Sequence, residues 1–265
     1  MKIGIIGAGN MAEALINGLK SSGVKDVFIS DINKSRLLLL KKKYNALCVS
    51  SNIELVKKTN VIILAVKPHN VGTVLGQVRD FLTTRHLIIS IAAGIKTGYI
   101  EKMISGRPVV IRVMPNTPAL ISKGISAVCV GRFALSRHKK IAIEIFSCVG
   151  NVIEVKEAMM DLVTAVSGSG PAYFFFLTET LMNVAVKAGL NKELARQLAA
   201  QTALGAAALM VCTKQQPYLL RQKVTSKAGT TQAAFDVFEK YGLEKILKKG
   251  INAAIKRSRG LSCSY

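Results

Sequence analysis

Acidic residues, aromatic residues and paired cysteines are scarce in this 265-residue chain. There are 15 Asp and Glu against 37 Lys and Arg, which gives a formal net charge of +22, and there is no tryptophan. The cysteines are scattered and odd in number, and none forms a Cys-x-x-Cys pair: Cys48, Cys129, Cys148, Cys212 and Cys263. This pattern argues against a disulfide framework or a zinc site and fits a reducing, intracellular compartment.

Long apolar runs are also missing, although half of the residues are hydrophobic. No stretch approaches the roughly 18 residues that a membrane helix needs. The segment Met1–Leu19 is apolar, but it contains Asn10, Glu13 and Asn17 and lacks a small-residue cleavage pattern. We therefore expect a cytoplasmic protein without a signal peptide or a membrane span, and long enough for one large domain or two modest ones.

The excess of positive charge raises nucleic-acid binding as a hypothesis. The lysines are dispersed in short groups, however, and no aromatic residues interleave with them. No helix-turn-helix, zinc-finger or RNP-like pattern is present. The charge therefore favours a solvated basic surface, which would also attract anionic ligands such as a phosphorylated cofactor or a carboxylate.

A glycine motif of the form G-x-G-x-x-A spans Gly7 to Ala12, after the short apolar run Lys2–Ile6 and before a predicted helix. In this motif Gly7 allows a tight turn, Gly9 lets the backbone approach a pyrophosphate, and Ala12 permits close packing of helix on strand. The helix amino terminus faces the phosphates. A tight turn in another kind of α/β protein is the alternative, but the strand and helix on either side favour a dinucleotide site.

The residues after the second predicted strand, Val24–Ser30, bear on the choice of cofactor. Asp31 is an acid at the position that usually bonds the ribose hydroxyls of NAD, or it is the N-cap of the next helix. Asn33, Lys34 and Arg36 follow at once and suit a 2′-phosphate. The two signals conflict, and we expect NADP in preference to NAD, with NAD possible.

Further apolar runs complete a predicted parallel sheet over residues 1 to about 155: Val61–Val66, Leu87–Ile91, Val109–Val113, Gly124–Val130 and Asn151–Val155, with a helix at Ser136–Ser147. Ligands bind at the carboxyl ends of such strands, so Ala65–Pro68 is predicted to border the nicotinamide. Ala92-Ala93-Gly94 leaves room for a cofactor against the backbone. His69 is either a loop histidine or an acid or base, and no partner for it is visible.

After Val155 the pattern becomes helical. Six helices are predicted: Glu157–Val166, Ala172–Ala188, Lys192–Cys212, Pro217–Lys223, Gln232–Tyr241 and Leu243–Arg259. Ser167–Gly170 interrupts the pattern after the first helix, and Asn191 is a possible cap of the third. The second of these helices is apolar almost all round, which indicates a deeply buried helix. The third is rich in alanine. We predict a homodimer in which these two helices pack across subunits; burial within one chain is the alternative.

The segment Thr225–Thr231 is a turn of small and hydroxyl residues before a helix. Its N–H groups and hydroxyls converge at a helix start, which is a ready anion site. An ordinary N-cap, the alternative, needs only one hydroxyl, and this turn has four.

Six motifs together resemble the pyrroline-5-carboxylate reductase family, over nearly the whole chain: IGIIGAGNMA (Ile3–Ala12), AVKP (Ala65–Pro68), SIAAG (Ser90–Gly94), RVMPNTPAL (Arg112–Leu120), VSGSGPAY (Val166–Tyr173) and the Thr225–Thr231 segment. The fourth and fifth are the specific ones. The resemblance implies an α/β Rossmann domain, residues 1–155, and an all-helical dimerisation and substrate domain, residues 156–265, with the active site between the cofactor edge and helices of the dimer. It also implies dimers assembled into larger rings, often decamers.

The activity that the resemblance implies is hydride transfer from NAD(P)H to the C=N carbon of 1-pyrroline-5-carboxylate, which gives L-proline in the last step of proline synthesis. Thr231 would hydrogen-bond the imine nitrogen and Ser226 would support the loop. Gly229 and Thr230 would offer N–H groups to the substrate carboxylate. The implied cofactor contacts are Ile6, Gly7, Ala8, Gly9, Asn10, Met11, Ser30, Asn52, Val66, Lys67, Pro68 and Ala93. A protonated imine is already electrophilic, so orientation suffices and no metal is needed.

The loop departs from the usual family pattern, Ser-Pro-Gly-Gly-Thr-Thr. Here Lys227 and Ala228 replace proline and glycine, and Ala228 is strained if its position needs a positive φ. Two rival functions remain. The first is another oxidoreductase with a Rossmann domain and helices, such as a β-hydroxyacid dehydrogenase or a reductase of a related imine or ketone. Enzymes of this kind need a lysine base on the interdomain helix, and Lys187 is poorly placed for it. A non-catalytic dinucleotide-binding paralogue would explain the altered loop but not the intact Thr230-Thr231 pair.

Overall fold

A computed structural model describes residues 1–263, with side chains through residue 261. The chain forms two compact units. The first comprises Met1–Ser169 together with the chain from Ala254 onward, and the second comprises Gly170–Ala253. The predicted functional boundary at 155/156 stays a prediction. None of the helices in the described part of the chain combines the length and apolarity that a membrane span requires.

The first unit is built on an eight-stranded sheet with the strand order β3-β2-β1-β4-β5-β6-β7-β8. The strands are β1 (Ile3–Ile6), β2 (Val27–Ser30), β3 (Leu47–Cys48), β4 (Val61–Leu64), β5 (Leu87–Ser90), β6 (Val109–Met114), β7 (Gly124–Val130) and β8 (Gly150–Glu154). Placing β1 at the centre, with β2 on one side and β4 on the other, is the doubly wound arrangement that the glycine motif predicts. The short β3 was not predicted.

One pairing corrects the prediction of a parallel sheet. Strands β6 and β7 pair antiparallel, with Met114 opposite Ala127, whereas all the other pairs are parallel. Parallel neighbours need a crossover of a dozen or more residues. The link from β6 to β7 holds only a short 3-10 helix, Thr117–Ile121, so β7 returns in the opposite direction.

Helices cover both faces of the sheet: α1 (Asn10–Ser21), α2 (Lys34–Tyr44), α3 (Asn52–Lys58), α4 (Val71–Val78), α5 (Thr97–Met103) and α6 (Ser136–Ser147). Strand side chains alternate between two cores. In β4, Val61 and Ile63 join the core beneath α1, α2 and α6, while Ile62 and Leu64 join the core beneath α3, α4 and α5. Burying each such side chain contributes roughly 1.5–3 kcal/mol. The nearly continuous apolar runs thus reflect strands buried on both faces.

The segment that leaves the sheet is more regular than predicted. A 3-10 turn, Glu157–Met159, leads into α7 (Met160–Val163) and then into a π-helical turn, Thr164–Gly168. The predicted interruption at Ser167–Gly170 is therefore mostly helical, and only Ser169 lies outside a helix. Ser258, near the end of the chain, donates a hydrogen bond of 2.8 Å to Asp161, which attaches the last helix to this segment.

The second unit consists of helices α8 (Gly170–Lys187), α9 (Lys192–Thr213), α10 (Pro217–Lys223), α11 (Thr230–Lys240) and the first part of α12 (Leu243–Cys263). Gly189 has φ +107° and ends the α8 region, and the Asn191 side chain caps α9 by accepting from the Leu194 N–H. These two features confirm the predicted helix boundaries. The unit has almost no core of its own, since only Gly170, Ala195 and Ala199 are buried.

Candidate functional site

The glycine-rich loop joins β1 to α1 at the carboxyl edge of the sheet. Gly7 has φ +107°, and a Cβ at this position would lie 2.6 Å from the Ala65 carbonyl oxygen, so only glycine fits the turn. Gly9 is extended and precedes α1 without a side-chain cap, and apart from its chain neighbours no atom of the described residues lies within 4 Å of where its Cβ would be. The first-turn N–H groups of α1 lack intrahelical acceptors and a side-chain cap, and the space beside Gly9 is open, which is the arrangement that an anion site requires.

The remaining residues of the loop divide by exposure. Ile6 and Ala8 are buried, whereas Asn10 is exposed and Met11 is half-buried. The buried residues fix the course of the backbone, and the exposed ones border the free side of the loop. This arrangement fits the predicted cofactor role of Ile6–Met11.

Asp31 braces this loop. Its carboxylate accepts from the Ala8 N–H at 2.5 Å and from the Asn33 N–H at 2.7 Å. The N-cap of α2 is Asn33, which accepts from the Arg36 N–H at 3.1 Å. The N-cap interpretation of Asp31 was therefore wrong, because the helix begins two residues further on than that role would require. No local pattern predicts the bond to Ala8, because it joins residues that are 23 apart in the chain.

Arg36 contacts the same residue, Ala8, at its carbonyl. Its Nε donates to the Ala8 carbonyl at 2.9 Å, and its Nη2 pairs with Glu13 at 2.9 Å. Hydrogen bonds from Lys43, Arg36 and Tyr44 hold the pKa of Glu13 below its usual value, against the opposing effect of burial. Sequence reasoning missed Glu13 as the partner that orients this cationic cluster beside the loop.

Ser30 and Asn52, both predicted cofactor contacts, are brought together by the fold. The Ser30 hydroxyl at the end of β2 donates to Asn52 Oδ1 at 2.7 Å, and Asn52 Nδ2 donates to Gln77 at 2.8 Å. Ser30 is buried and Asn52, the first residue of α3, is half-buried. Gln77 was not anticipated, since it lies 25 residues further along the chain on α4.

The other predicted cofactor contacts follow the neighbouring strands. Val66 and Lys67 come after β4, and Pro68 opens a 3-10 turn that includes His69. Ala93 follows β5 and is half-buried. Leu64 at the end of β4 is paired with Ile6 and with Ser90, so these loops share the edge that carries the glycine-rich loop. The predicted cofactor residues thus lie at or just after the carboxyl ends of β1, β2, β4 and β5, except Asn52, which opens α3 after β3.

The predicted substrate residues lie in the second unit, where Gly229 is the N-cap of α11. A Cβ at Gly229 would collide with Ser226 Oγ, so the two residues pack directly against each other. Ala228 has φ +59°, which confirms that its position requires a positive φ. Gly229 also donates its N–H to the Ser226 carbonyl at 3.0 Å, so that donor is used inside the turn.

The start of α11 leaves other donors free. Thr230 is exposed and Thr231 is half-buried, and within the described part of the chain their hydroxyls have no hydrogen-bond partner. The first-turn N–H groups of a helix have no intrahelical acceptor. Thr230, Thr231 and the positive end of the helix therefore form a compact set of donors for an anion or a polar ligand.

A buried ion pair lies where the chain leaves the sheet. Arg112 on β6, whose side chain is 3% exposed, approaches Glu157 at 3.5 Å. Glu157 also accepts from the N–H and the hydroxyl of Thr97, each at 2.8 Å. Burial, with the charge of Glu157, raises the pKa of Cys129 to about 12. This cysteine is therefore a protonated core residue.

The second unit exposes an extensive apolar surface within a single chain. Phe174, Phe175 and Phe176 are each more than 60% exposed, and Val211 on α9 is 73% exposed. Burial of α8 within one chain, the alternative interpretation, is therefore wrong. A surface of this size marks an association face.

Lys187 stands at the far end of α8, about 26 Å along the helix axis from Gly170. A lysine base is expected near the start of this helix, so its position argues against the dehydrogenase rival.

A Rossmann-type dinucleotide unit followed by a helical unit built for association defines a two-domain oxidoreductase. Two family models match the chain. One, described as "Pyrroline-5-carboxylate reductase dimerisation", matches residues 157–261, and one described as "NADP oxidoreductase coenzyme F420-dependent" matches residues 2–94.

Individual proteins match over nearly the full length. A pyrroline-5-carboxylate reductase of Pseudomonas aeruginosa is 39% identical, with 98% of this chain and 97% of that protein covered. The structure of a pyrroline-5-carboxylate reductase from Coxiella burnetii is 36% identical, with a TM-score of 0.90 and 98% of both chains covered. The Plasmodium falciparum pyrroline carboxylate reductase with NADP bound is 31% identical, has a TM-score of 0.90, and is covered over 98% of its length by 99% of this chain. The chain belongs to the pyrroline-5-carboxylate reductase family.

Proposed function

We propose that this protein reduces 1-pyrroline-5-carboxylate to L-proline with NADPH, the last step of proline biosynthesis. The observation that carries the proposal is the start of α11, where Thr230 and Thr231 combine free hydroxyls with a helix amino terminus, in a chain of this family. The reaction consumes one hydride and one proton: the hydride adds to the C=N carbon, and the nitrogen becomes the amine of proline.

The residues of the second unit bind and orient the substrate. Thr231 hydrogen-bonds the imine nitrogen, and the N–H of Thr230 with the positive end of α11 receives the carboxylate. Gly229 was expected to share that role, but its N–H is held by Ser226, so we assign Gly229 to shaping the turn. Ser226 supports this turn through its close contact with Gly229. Orientation of a reactive imine is the main contribution required.

The glycine-rich edge of the first unit fits a dinucleotide, since Gly7 allows the turn and Gly9 leaves space beside the helix terminus. When bound, the nicotinamide supplies the hydride. We assign its binding to Ile6–Met11, Ser30, Asn52, Val66–Pro68 and Ala93.

We propose NADPH as the preferred cofactor and NADH as a possible one. Asp31 already accepts two backbone N–H groups, which leaves less capacity to receive ribose hydroxyls. Arg36 contacts the same loop at the Ala8 carbonyl, and Lys34 lies two residues earlier at the start of α2, so both are candidate cations for a 2′-phosphate.

We further propose that the chain forms homodimers through α8 and α9, and that these dimers assemble into a decamer. We place the boundary between the two functional domains between residues 155 and 156. The match of residues 157–261 to a dimerisation model supports the dimer and the boundary. Light scattering on the purified protein measures the number of chains directly. The scattered, unpaired cysteines support a cytoplasmic location.

The decisive experiment compares wild type with Thr231→Val and Thr231→Ser in an NADPH-oxidation assay with 1-pyrroline-5-carboxylate. Valine keeps the shape but removes the hydroxyl, so we expect kcat/KM to fall by about 10- to 100-fold, the effect of one hydrogen bond to a charged group. Serine keeps the hydroxyl and should retain most activity. NADPH affinity should be unchanged in both. Full activity in the valine variant would contradict the role of Thr231.

The conformation of Ala228 favours a second candidate function, that of a dinucleotide-binding protein without reductase activity. An alanine with φ +59° stands where the family pattern has glycine. Wild-type protein that binds NADPH but shows no turnover with 1-pyrroline-5-carboxylate would select this candidate.

A further inference from the structure

A cavity lies at the edge of the sheet opposite the glycine-rich loop. It has a volume of about 460 Å³ and opens between the residues before β1, the end of α3 and the loop before β5. The four-residue strand β1 lies between this cavity and the glycine-rich loop, and it separates them by roughly 13 Å. The cavity is therefore distinct from the predicted dinucleotide site.

The charges around this cavity have one sign. Lys2, Lys57, Lys58 and Arg85 line it, and among the residues that the structure describes no carboxylate does. Lys58 is neutralised by Glu54 at 2.7 Å. Within the described part of the chain, no carboxylate oxygen lies within 4.0 Å of a cationic nitrogen of Lys2, Lys57 or Arg85. Three cations therefore converge without a counter-charge from the protein.

The walls of the cavity are held in place by defined contacts. The Lys57 ammonium lies over the Phe81 ring, 4.8 Å from its centroid. His86 is buried, and its Nδ1 accepts from the Thr83 N–H at 2.9 Å. Its Nε2 therefore carries the proton and donates to the Val56 carbonyl at 3.2 Å. This bond ties the turn that carries Arg85 to the helix that carries Lys57.

Helix-dipole compensation does not account for all of this charge. Lys57 lies in the last turn of α3, where a cation is favourable without any ligand. Lys2 and Arg85, however, precede β1 and β5 and have no helix end behind them. Lys2 and Arg85 line the same concave, largely polar space as Lys57, and an anionic ligand bound there would balance all three charges.

We propose that this cavity is a binding site for a small multivalent phosphate-bearing anion, such as a free oligophosphate. A phosphate chain carries several charges at short spacing and so matches three converging cations better than a single carboxylate does. The concave shape and the volume, within the range of small-molecule pockets, favour a small anion over a nucleic-acid backbone.

The test uses the full-length protein saturated with NADPH, so that the dinucleotide site is occupied. Sodium tripolyphosphate is titrated by isothermal calorimetry at low ionic strength, where exposed charges are least screened. Wild type should bind one tripolyphosphate per chain. The Lys57→Gln/Arg85→Gln variant should bind about tenfold more weakly or worse, since two charge-assisted contacts are lost. Both residues are exposed, so the variant should fold.

The matched control is Lys123→Gln/Lys140→Gln, which removes the same charge at two exposed positions outside the cavity. Its affinity should stay within about twofold of wild type, because distant exposed charges are screened. Equal weakening in both variants, or no binding by wild type, would overturn the site. A single-stranded oligonucleotide that binds more tightly than tripolyphosphate and is lost in the first variant would overturn the small-anion assignment.

Discussion

The Asp31 carboxylate accepts a hydrogen bond from the backbone N–H of Ala8, 23 residues earlier in the chain. Its second oxygen accepts from the N–H of Asn33, so the residue joins the glycine-rich loop to the start of α2. Arg36 donates to the carbonyl of Ala8. The backbone of Ala8, at the centre of the loop, is thus fixed at its N–H by an acid and at its carbonyl by a cation.

Replacing Asp31 by asparagine should therefore weaken both dinucleotides together. The amide has one acceptor oxygen in place of two, so one charge-assisted bond to the loop is lost, and we expect the Kd of NADPH and of NADH to rise by about tenfold each. Fluorescence titration measures both. Asp80→Asn, at a carboxylate that is 82% exposed, serves as the control and should change neither. A loss confined to NADH would show that Asp31 bonds the ribose instead.

Ala228→Gly should stabilise the substrate loop. A left-handed backbone costs alanine about 1–2 kcal/mol, and the greater freedom of glycine in the unfolded chain offsets about 0.4–1 kcal/mol of that gain. We expect the free energy of unfolding to rise by up to about 1.6 kcal/mol, together with a lower KM for the substrate, because the backbone strain in the turn before α11 is relieved. Urea denaturation and steady-state kinetics measure the two effects.

The matched control is Ala233→Gly, in the interior of α11. A helical alanine has no such strain, so this change should lower stability by about 0.5–1 kcal/mol. If both variants lost stability equally, the conformation assigned to Ala228 would be wrong.

Glu157→Gln should destabilise the first unit. The change removes the only charge partner of the buried Arg112 in the described part of the chain, where Arg112 Nη2 already has no hydrogen-bond partner. We expect a loss of roughly 1–3 kcal/mol in the free energy of unfolding, because an uncompensated buried charge is costly. Glu154→Gln breaks an exposed pair with Lys139 and should cost less than about 1 kcal/mol. Equal losses would show that burial of Arg112 is energetically unimportant.

The lowered pKa of Glu54 predicts how the free energy of unfolding depends on pH in acid. Hydrogen bonds from Lys58 and Ser50 lower its pKa from 4.5 to about 2 in the folded chain. A lowered pKa means that the folded state favours the ionised form, so the associated stability is complete above pH 4.5 and is lost as the pH falls towards 2. The difference in stability between wild type and Glu54→Gln should shrink across that window.

Denaturation at a series of pH values measures this difference. The control is Glu144→Gln, at an exposed glutamate that has no salt bridge in the described part of the chain. A difference between wild type and Glu54→Gln that stays constant down to pH 2 would show that the hydrogen bonds to Glu54 do not form in solution.

Much of the fold could be predicted because its signals are local. The motif at Gly7–Ala12 depends on backbone geometry within six residues, and the structure places it between β1 and α1 as expected. Helix signals such as Asn191 as a cap and Gly189 at positive φ are also local. The same holds for Ala228, whose conformation followed from comparing one position with a family pattern.

The sequence by itself thus determined the doubly wound unit, the helical unit that follows it, and the candidate residues on the two, because periodicity and turn chemistry act over a few residues. Only the tertiary structure decided the antiparallel return of β7, the bond from Asp31 to Ala8, the pairing of Arg112 with Glu157, and the convergence of Lys2, Lys57 and Arg85. Each of these joins residues that are distant in the chain, and pairing over such distances depends on how the strands and helices pack rather than on any local pattern.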